Sequence, residues 1–213
     1  MDKQKLPFVG VYRITDWRNL AHILAHGMFA TNNVRLPQAD YRFIADSDLT
    51  NRRANYSVRP PAKGKLGDYV PFYFGKRSPM LFTLVKKGFA AERDIIYLLV
   101  KIEDIVAHEC EFCFTDGQAN TRMTTYYVDL NDLATLDRDA IDARHWRKTE
   151  EDPDITRRKS AELLIKDHVP PQLISGIVVK DVDQEQKIRQ IVVNSDFPDL
   201  SVAVRTTDYY YSL

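Results

Sequence analysis

Residues 70–81, VPFYFGKRSPML, concentrate the residue types that a nucleotide-binding site needs. The apolar and aromatic run at the start predicts a short buried strand, and Gly75 then releases the backbone. Lys76 and Arg77 follow, so that a flat aromatic surface stands beside two cations. Aromatic rings offer a face to a second ring, and cations bind phosphate oxygens. The stretch is also compatible with a core strand that ends in a solvated turn.

A carboxylate and a pair of arginines are the other candidates for chemistry. Glu162 lies in RRKSAELLIKD, at the mouth of a predicted strand and after a charged segment, where site residues are often placed. Arg52 and Arg53 lie in a long polar segment and could clamp a phosphate. Each has a plainer alternative as a solvated charge. For Glu162, that alternative is an ion pair with a cation of the same stretch: Lys159, Arg157 or Arg158.

The two cysteines form a C-x-x-C pair, which could indicate zinc or redox chemistry. Cys110 and Cys113 lie in an apolar run, with His108 just upstream. In a strand, positions i and i+3 point to opposite faces, and structural zinc needs four ligands. The sequence has no second C-x-x-C, and it has no Rossmann, Walker, H-E-x-x-H or serine-elbow motif. We therefore expect no metal site, and neither a Rossmann nor a P-loop enzyme.

The elements that would position these residues are mostly strands. Apolar runs predict strands over 8–14, 70–74, 94–102, 110–114, 125–130, 161–165, 174–180 and 200–205. Helical spacing predicts helices over 17–26, 131–146 and 182–194, a helical turn over 103–108, and either a strand or a short helix over 81–85. Residues 30–65 show no periodicity, and so long a loop is more often functional than idle. Residues 148–159 are charged and of mobile character. The pattern predicts one mixed α+β domain.

Length and composition are those of a globular cytoplasmic protein. The chain has 213 residues, is 44% hydrophobic and 28% charged, and has a formal net charge of zero. No apolar run reaches the length of a membrane span, and the first residues lack the h-region of a signal peptide. Two cysteines give no disulfide framework. We expect a cytoplasmic location without membrane association.

The charges are divided unevenly along the chain. Residues 1–101 carry 17 Lys and Arg against 8 Asp and Glu, a balance of +9, whereas residues 102–213 carry 13 against 22, a balance of −9. A basic segment suits a polyanionic partner, while the neutral total argues against nonspecific coating of nucleic acid.

Taken together and in order, these pieces resemble the DarT family of DNA ADP-ribosyltransferase toxins. The stretches that carry the resemblance run from residue 12 to about residue 169: YRITDWRNLAHILAHGM, DLTNRRAN, VPFYFGKRSPML, FTDGQA, LNDLATLDRDAIDARHW and RRKSAELLIKDHVP. The VPFYF-x-x-RSPML and KSAELL matches are the most specific. Residues 170–213 are compatible with the family.

The resemblance implies an ADP-ribosyltransferase (PARP/ART-like) fold over residues 1–213. Such a fold has a split, mainly antiparallel sheet with peripheral helices, and NAD lies in a cleft. It also implies transfer of ADP-ribose from NAD onto a base of single-stranded DNA in a short sequence context. That base is usually thymine, and guanine in one branch of the family. A DarG-type macrodomain antitoxin reverses the modification, and we expect a monomer.

The resemblance assigns two catalytic residues. Glu162 in KSAELL matches the family's catalytic glutamate, whose carboxylate would hold the ribose 2′-OH while positive charge builds on C1′. Arg53 in TNRRAN matches the second essential residue, with Arg52 as its neighbour. Because an arginine stays protonated in proteins, we expect Arg53 to stabilise negative charge on thymine or a phosphate and not to act as a base.

The remaining site residues also come from the resemblance. A loop over about 35–53 would fold over NAD, and a segment over about 121–162 would recognise the substrate. The expected NAD contacts are Tyr12, Arg13, Ile14, Ala21, Phe29, Arg53, Tyr73 and Phe74. The expected DNA contacts are Arg52, Lys76, Arg77, Arg122 and Tyr126, and Tyr41, Tyr56 or Tyr126 could stack on bases.

Two positions depart from the family pattern. The family commonly has histidine where Arg13 stands, and its T-D-x-x-A motif often carries another residue at Gln118. These departures leave the preferred base and sequence open. The alternatives are an ADP-ribosyltransferase that modifies guanine, protein or RNA, and a single-strand-binding module without catalysis.

Overall fold

A computed structural model describes residues 6–37, 41–44 and 47–211, apart from the side chains of Ser47 and Leu49. The strands described are β1 (Gly10–Asp16), β2 (Met28–Phe29), β3 (Tyr69–Tyr73), β4 (Ile95–Lys101), β5 (Phe112–Thr115), β6 (Tyr126–Tyr127), β7 (Glu162–Lys166), β8 (His168–Val169), β9 (Ile174–Val179) and β10 (Val202–Val204). The α-helices are α1 (Leu20–His26), α2 (Ser47–Ala54), α3 (Pro79–Lys86), α4 (Ile102–Ala107), α5 (Arg138–Asp142), α6 (Ile155–Lys159), α7 (Val182–Val193) and α8 (Thr206–Tyr209).

Eight of these strands form one sheet in the order β10-β9-β4-β1-β3-β7-β5-β6. Neighbours pair antiparallel except β9 and β10, which are parallel. β2 and β8 form a separate antiparallel pair. The expected α+β class with a mainly antiparallel sheet is confirmed.

The sheet is split between its central strands. All seven residues of β1 pair with β4, whereas β1 and β3 meet only at Tyr12 and Tyr73. Pro71 in β3 has no N–H and therefore cannot donate a backbone hydrogen bond. Its carbonyl is bound by a side chain, because Arg13 Nη1 donates to Pro71 O at 2.9 Å. The split therefore opens a gap in which polar side chains can lie.

Alternation along the strands separates two packed faces. The larger core lies under α1, α4 and α7 and includes Val11, Phe72 and Leu163. The opposite face carries Leu81, Leu84, Tyr97 and the C-terminal tyrosines at 209 and 210, with a smaller cluster beneath Leu164. Glu162 precedes Leu163 in β7 and so faces away from the larger core.

One predicted element is wrong, and another is shorter than predicted. The single helix predicted over 131–146 is instead a 3-10 helix, Leu130–Thr135, followed by α5 and irregular chain. Leu136 is extended, and the Asp137 side chain accepts from Ala140 N and starts a new helix, so a capping residue interrupts the periodic pattern. The strand predicted over 125–130 shrinks to β6.

The segment predicted to lack periodicity contains α2, a helix of eight residues. Its apolar content is low, so no amphipathic stripe marks it in the sequence. Residues 81–85 form part of α3, which Ser78 caps and Pro79 opens. Among the described residues, no helix has the length and apolar character needed to cross a bilayer.

Gly75 lets the chain after β3 approach α5. A Cβ atom added there would lie 2.7 Å from Ile141 O, which also accepts from Lys159 Nζ. We expect Gly75→Ala to lower the free energy of unfolding by about 1–3 kcal/mol, because backbone must shift to relieve the clash.

Urea unfolding of Gly75→Ala and of the matched variant Gly176→Ala tests this. At Gly176 the nearest atom to an added Cβ is Ser201 O at 3.7 Å, an ordinary contact. Equal midpoints for the two variants would contradict the prediction.

Candidate active site

A row of three side chains crosses the split. Tyr12 in β1 pairs with Tyr73 in β3, and Tyr73 pairs with Glu162 at the start of β7. Residues directly opposite each other on neighbouring strands point to the same face. The register therefore places two tyrosine rings and one carboxylate side by side on the face opposite the larger core.

The Glu162 carboxylate is buried and held by both of its oxygens. Its side chain is 1% exposed, Oε1 accepts from the Ala119 N–H at 2.9 Å, and Oε2 accepts from Arg53 Nη2. Its backbone N–H donates to Thr115 Oγ1 at 3.2 Å. Glu162 lies at the end of a strand, as predicted. It is buried, however, and is not an exposed rim residue.

Arg53 reaches this carboxylate from α2, and its side chain is 27% exposed. Burial acts to lower the pKa of the guanidinium, but the charge of Glu162 and the hydrogen bond to it outweigh burial and raise the pKa above its ordinary value. Arg53 is therefore a fixed cation beside a fixed anion.

Tyr73 lies beside Glu162 in the strand register and remains a neutral phenol. Burial and then the neighbouring charge of Glu162 raise the pKa of Tyr73 far above its ordinary value. Its hydroxyl lies 3.4 Å from Met80 Sδ. The ring is half-buried and can present its face to a planar group.

The turn that carries Ala119 is clamped by Arg157. The Arg157 guanidinium donates to both Asp154 carboxylate oxygens, to Asp116 Oδ1 at 2.9 Å and to Thr124 Oγ1 at 3.3 Å. Gln118 N in turn donates to Arg157 O at 3.0 Å. A Cβ at Gly117 would lie 2.4 Å from Arg157 Nη1 and 2.9 Å from Arg157 O, so the close approach requires glycine.

None of the three cations considered as a plain partner for Glu162 pairs with it. Arg157 binds Asp116 and Asp154, and Arg158 binds Asp137 and Asp152. Lys159 is buried, its Nζ donates to Ile141 O at 2.9 Å, and burial lowers the pKa of its ammonium to about 8. The interpretation of Glu162 as a solvated residue paired with one of these cations is therefore wrong, because Arg157 and Arg158 bind aspartates instead.

Three predicted NAD contacts lie on β1 beside the split. Tyr12 is half-buried against Tyr209, with ring centroids 5.6 Å apart, and burial raises the pKa of its hydroxyl. The Arg13 side chain lies in the split, where its Nε is buried without a hydrogen-bond partner. Ile14 is 6% exposed and packs in the same cluster as Tyr97, so a contact with NAD stays a prediction.

Phe74, another predicted NAD contact, faces away from Glu162, whereas the contact predicted for Ala21 stays a prediction. Phe74 is 3% exposed and packs in the larger core against Phe8, with centroids 4.9 Å apart, on the face opposite Glu162. Phe74 as a nicotinamide wall is therefore wrong, because adjacent strand residues point to opposite faces. Ala21 is exposed on α1 and lines a cavity between α1 and α7 with Trp17 and Ile191.

Phe29 belongs to a separate aromatic cluster on β2. It stacks on His168 with ring centroids 4.5 Å apart, and the Arg35 guanidinium lies 4.7 Å from its centroid. His22 from α1 joins the cluster, and burial lowers the pKa of its imidazole. A contact between Phe29 and NAD stays a prediction.

Of the predicted DNA contacts, the cations are accessible and Tyr126 is not. Arg52, Lys76 and Arg122 are exposed, and the half-buried Arg77 lies 4.4 Å over the Tyr211 ring. Tyr126 is 2% exposed and its hydroxyl donates to Ala119 O. Tyr126 as a base-stacking residue is thus wrong in this conformation, because neither ring face is free.

The two predicted functional loops are not simple loops. The NAD loop over 35–53 ends in α2, and its residues 38–40 and 45–46 lie outside the described residues. The substrate segment over 121–162 contains β6, α5 and α6. Their roles stay predictions.

Cys113 packs in the same cluster as Tyr126, and Cys110 packs against the larger core. Cys113 is buried, and burial raises the pKa of its thiol to about 12, while Cys110 is half-buried. Within the described part of the chain, no group of three or more His, Cys, Asp or Glu could hold a metal ion.

The backbone donor at Ala119 is a functional group that the sequence does not reveal. A main-chain N–H carries no residue signature, so only the fold shows that it faces Glu162. The glycine in TDGQA was a usable signal, because it indicates a close backbone approach.

A split antiparallel sheet with a buried, doubly held glutamate beside the split defines an ADP-ribosyltransferase of the NAD-dependent class. A family model, "DarT: ssDNA thymidine ADP-ribosyltransferase, DarT", matches residues 12–211. The chain belongs to this DarT family and is an NAD-dependent DNA ADP-ribosyltransferase.

Individual proteins agree with this assignment. A DNA ADP-ribosyl transferase of Escherichia coli O127:H6 is 32% identical over 206 residues, which is 94% of this chain and 92% of that protein. A DNA ADP-ribosyl transferase-DNA ADP-ribosyl glycohydrolase fusion protein of Thermosipho africanus is 24% identical over 193 residues, which is 90% of this chain and 47% of the fusion.

Solved structures of DarT from Thermus sp. 2.9 are similar throughout. The complex with ADP-ribosylated ssDNA matches with a TM-score of 0.85 and 30% identity, over 99% of this chain and 100% of that one. The complex with NAD+ matches with a TM-score of 0.81 and 29% identity, over 96% and 98%.

Removal of Arg53 should show how much the buried carboxylate destabilises the fold when it has no cation beside it. We expect Arg53→Met to lower the free energy of unfolding by about 1–3 kcal/mol, less than for a fully buried pair because the Arg53 side chain is 27% exposed. Adding Glu162→Gln should restore at least half of this loss, because a neutral amide oxygen still accepts from Ala119 N–H.

Urea unfolding of the single and double variants measures this, with Arg52→Met as control. Arg52 is exposed, so its loss should change stability by no more than about 0.5 kcal/mol. The interpretation fails if the double variant is no more stable than Arg53→Met.

Proposed function

We propose that this protein transfers ADP-ribose from NAD onto thymine in single-stranded DNA and releases nicotinamide. The observation that carries the proposal is the Glu162 carboxylate, buried beside the split of the sheet and paired with Arg53. The family match and the similarity to a DarT structure with ADP-ribosylated ssDNA support the choice of substrate.

Glu162 acts at the ribose. As the bond between ribose C1′ and nicotinamide breaks, C1′ acquires positive charge, and a carboxylate that accepts from the ribose 2′-OH stabilises that charge. Each carboxylate oxygen has two lone pairs, so the bonds from Ala119 and Arg53 leave capacity for the 2′-OH. Because the carboxylate is 1% exposed, water does not screen its charge.

Tyr73 and β1 position the rest of NAD. The neutral ring of Tyr73 lies directly beside Glu162 in the register, where it can stack on the nicotinamide ring. The Arg13 guanidinium in the split, with Nε unpaired, can contact a ribose hydroxyl or a phosphate. In this way Arg13 serves where the family commonly has histidine.

Arg53 acts on the base. Thymine in DNA has one ring N–H, and attack by this nitrogen on C1′ forms the new N–C bond while nicotinamide leaves and the proton passes to solvent. Negative charge develops on the base as the proton departs, and a cation beside Glu162 stabilises it. Since the pKa of Arg53 is raised, a role as charge stabiliser fits better than one as base.

Three exposed cations and the half-buried Arg77 form the DNA-binding rim. Arg52 lies in α2, and Arg122 follows the TDGQA turn. Lys76 and Arg77 lie beyond the end of β3. Cations along both sides of a site suit a phosphodiester backbone, and the exposed Met123 offers an apolar contact to an unstacked base.

A DarG-type macrodomain antitoxin would remove the modification. In the Thermosipho africanus relative, a DNA ADP-ribosyl glycohydrolase is fused to the transferase. A glycohydrolase that acts on the same adduct is therefore a fitting partner for this chain.

Purified protein, NAD and four single-stranded oligonucleotides, each lacking one base, test the substrate. We expect the mass of one ADP-ribose to be added to every oligonucleotide except the one without thymine. An oligonucleotide whose only thymines are N3-methylated should remain unmodified, because the attacking ring nitrogen carries no proton. Modification of the thymine-free oligonucleotide would show that guanine or another base is the acceptor, and label from NAD on protein or RNA alone would reject the DNA proposal.

The same assay tests Glu162. We expect Glu162→Gln to reduce the rate by about 10²–10³-fold, because the neutral amide cannot stabilise the charged ribose. The control is Glu103→Gln, at an exposed position on α4, which should retain full activity. Equal rates for Glu162→Gln and wild type would remove Glu162 from the mechanism.

Expression in cells tests the antitoxin relationship. Because an adduct on the base-pairing edge of thymine blocks replication, we expect wild-type protein to stop growth and Glu162→Gln to permit it. Co-expression of a DarG-type macrodomain should restore growth and remove the adduct from DNA. Normal growth of cells that make soluble wild-type protein alone would contradict the toxin role.

A further inference from the structure

Tyr126 is a buried tyrosine whose hydroxyl holds the turn behind Glu162. It lies in β6, opposite Thr115 in β5, and is 2% exposed. Its hydroxyl donates to Ala119 O at 2.6 Å. Burial, and next the charge of Glu162, raise the pKa of this phenol, so it remains protonated and continues to donate.

Ala119 is held from two sides by this arrangement. Its N–H donates to Glu162 Oε1 at 2.9 Å, and its carbonyl accepts from Tyr126. Ala119 itself is fully buried and has no side-chain polar group with which to anchor itself. The position of the donor therefore depends on the bond to its carbonyl.

Arg59 secures Tyr126 and the next turn together. Its guanidinium lies 5.8 Å from the Tyr126 ring centroid. It donates through Nη2 to Thr121 O at 2.6 Å and through Nη1 to Arg122 O. Arg59 therefore contacts the Tyr126 ring and also holds the backbone at Thr121 and Arg122.

We infer that Tyr126 is a positioning residue for the transfer reaction: its hydroxyl holds Ala119 so that the Ala119 N–H orients the Glu162 carboxylate toward the ribose. This inference rests on the proposed function. It replaces the prediction that Tyr126 contacts DNA, and the two roles have different kinetic consequences.

The consequences differ because Glu162 acts on NAD and not on DNA. Loss of a positioning residue lowers kcat both for transfer to DNA and for nicotinamide release to water, and leaves the KM for DNA unchanged. Loss of a DNA contact raises the KM for DNA and leaves nicotinamide release without DNA unchanged.

Tyr126→Phe removes only the hydroxyl and keeps the buried ring. We expect kcat for both reactions to fall by about tenfold or more, because a small misplacement of a catalytic group is costly. The KM for NAD and for a thymine-containing oligonucleotide should change less than about twofold. Circular dichroism and a thermal melt ensure that all rates are measured on folded protein.

Tyr127→Phe is the matched control. Tyr127 is the next residue, half-buried, with its ring stacked 5.3 Å from Phe114, and its rates should equal those of wild type. Unchanged kcat in folded Tyr126→Phe overturns the inference, as does a rise in the KM for DNA alone. Wild-type protein that modifies no oligonucleotide would instead reject the proposed function, whatever the variants do.

Discussion

The buried carboxylate of Glu162 is the constraint to which the surrounding structure responds. An ionised carboxylate that is 1% exposed loses its hydration, at a cost of several kcal/mol unless charge and hydrogen bonds replace the water. Arg53 brings the charge from 109 residues away, and Ala119 brings a hydrogen bond from 43 residues away. α2 and the TDGQA turn must therefore both dock against β7 before the carboxylate is stable. A site built in this way is preorganised, since its charges are oriented by the fold.

The acidic second half of the chain has a structural use in this site. Arg157 and Arg158 come shortly before β7 in the sequence, and each binds aspartates of this acidic half. These pairs keep the two cations away from Glu162, which leaves Arg53 as its described ionic partner. They also tie α6 to the turn at Asp116, so the charged segment supports the carboxylate without contacting it.

Residues 70–74 show which features a sequence pattern predicts and which it does not. The pattern predicts a strand over 70–74 and β3 forms there, because five apolar residues in a row need burial. Tyr73 and Phe74 were assigned the same role, yet they face opposite sides of the sheet. Which residue of the pair faced Glu162 depended on register with β7, and register is set by partners distant in the sequence.

The sequence by itself determined the eight strands of the large sheet, with β6 shorter than predicted, the flanking helices α1 and α7, the α+β class and, through resemblance, the family. These follow from local periodicity and capping, which neighbouring residues decide. Only the tertiary structure decided that Glu162 is buried, that Arg53 is its cation, and that a backbone N–H and a buried tyrosine hydroxyl hold it in place. Burial and hydrogen bonding of this kind join segments far apart in the chain. Every residue except proline has a main-chain N–H, so the residue type does not show which of these groups binds Glu162.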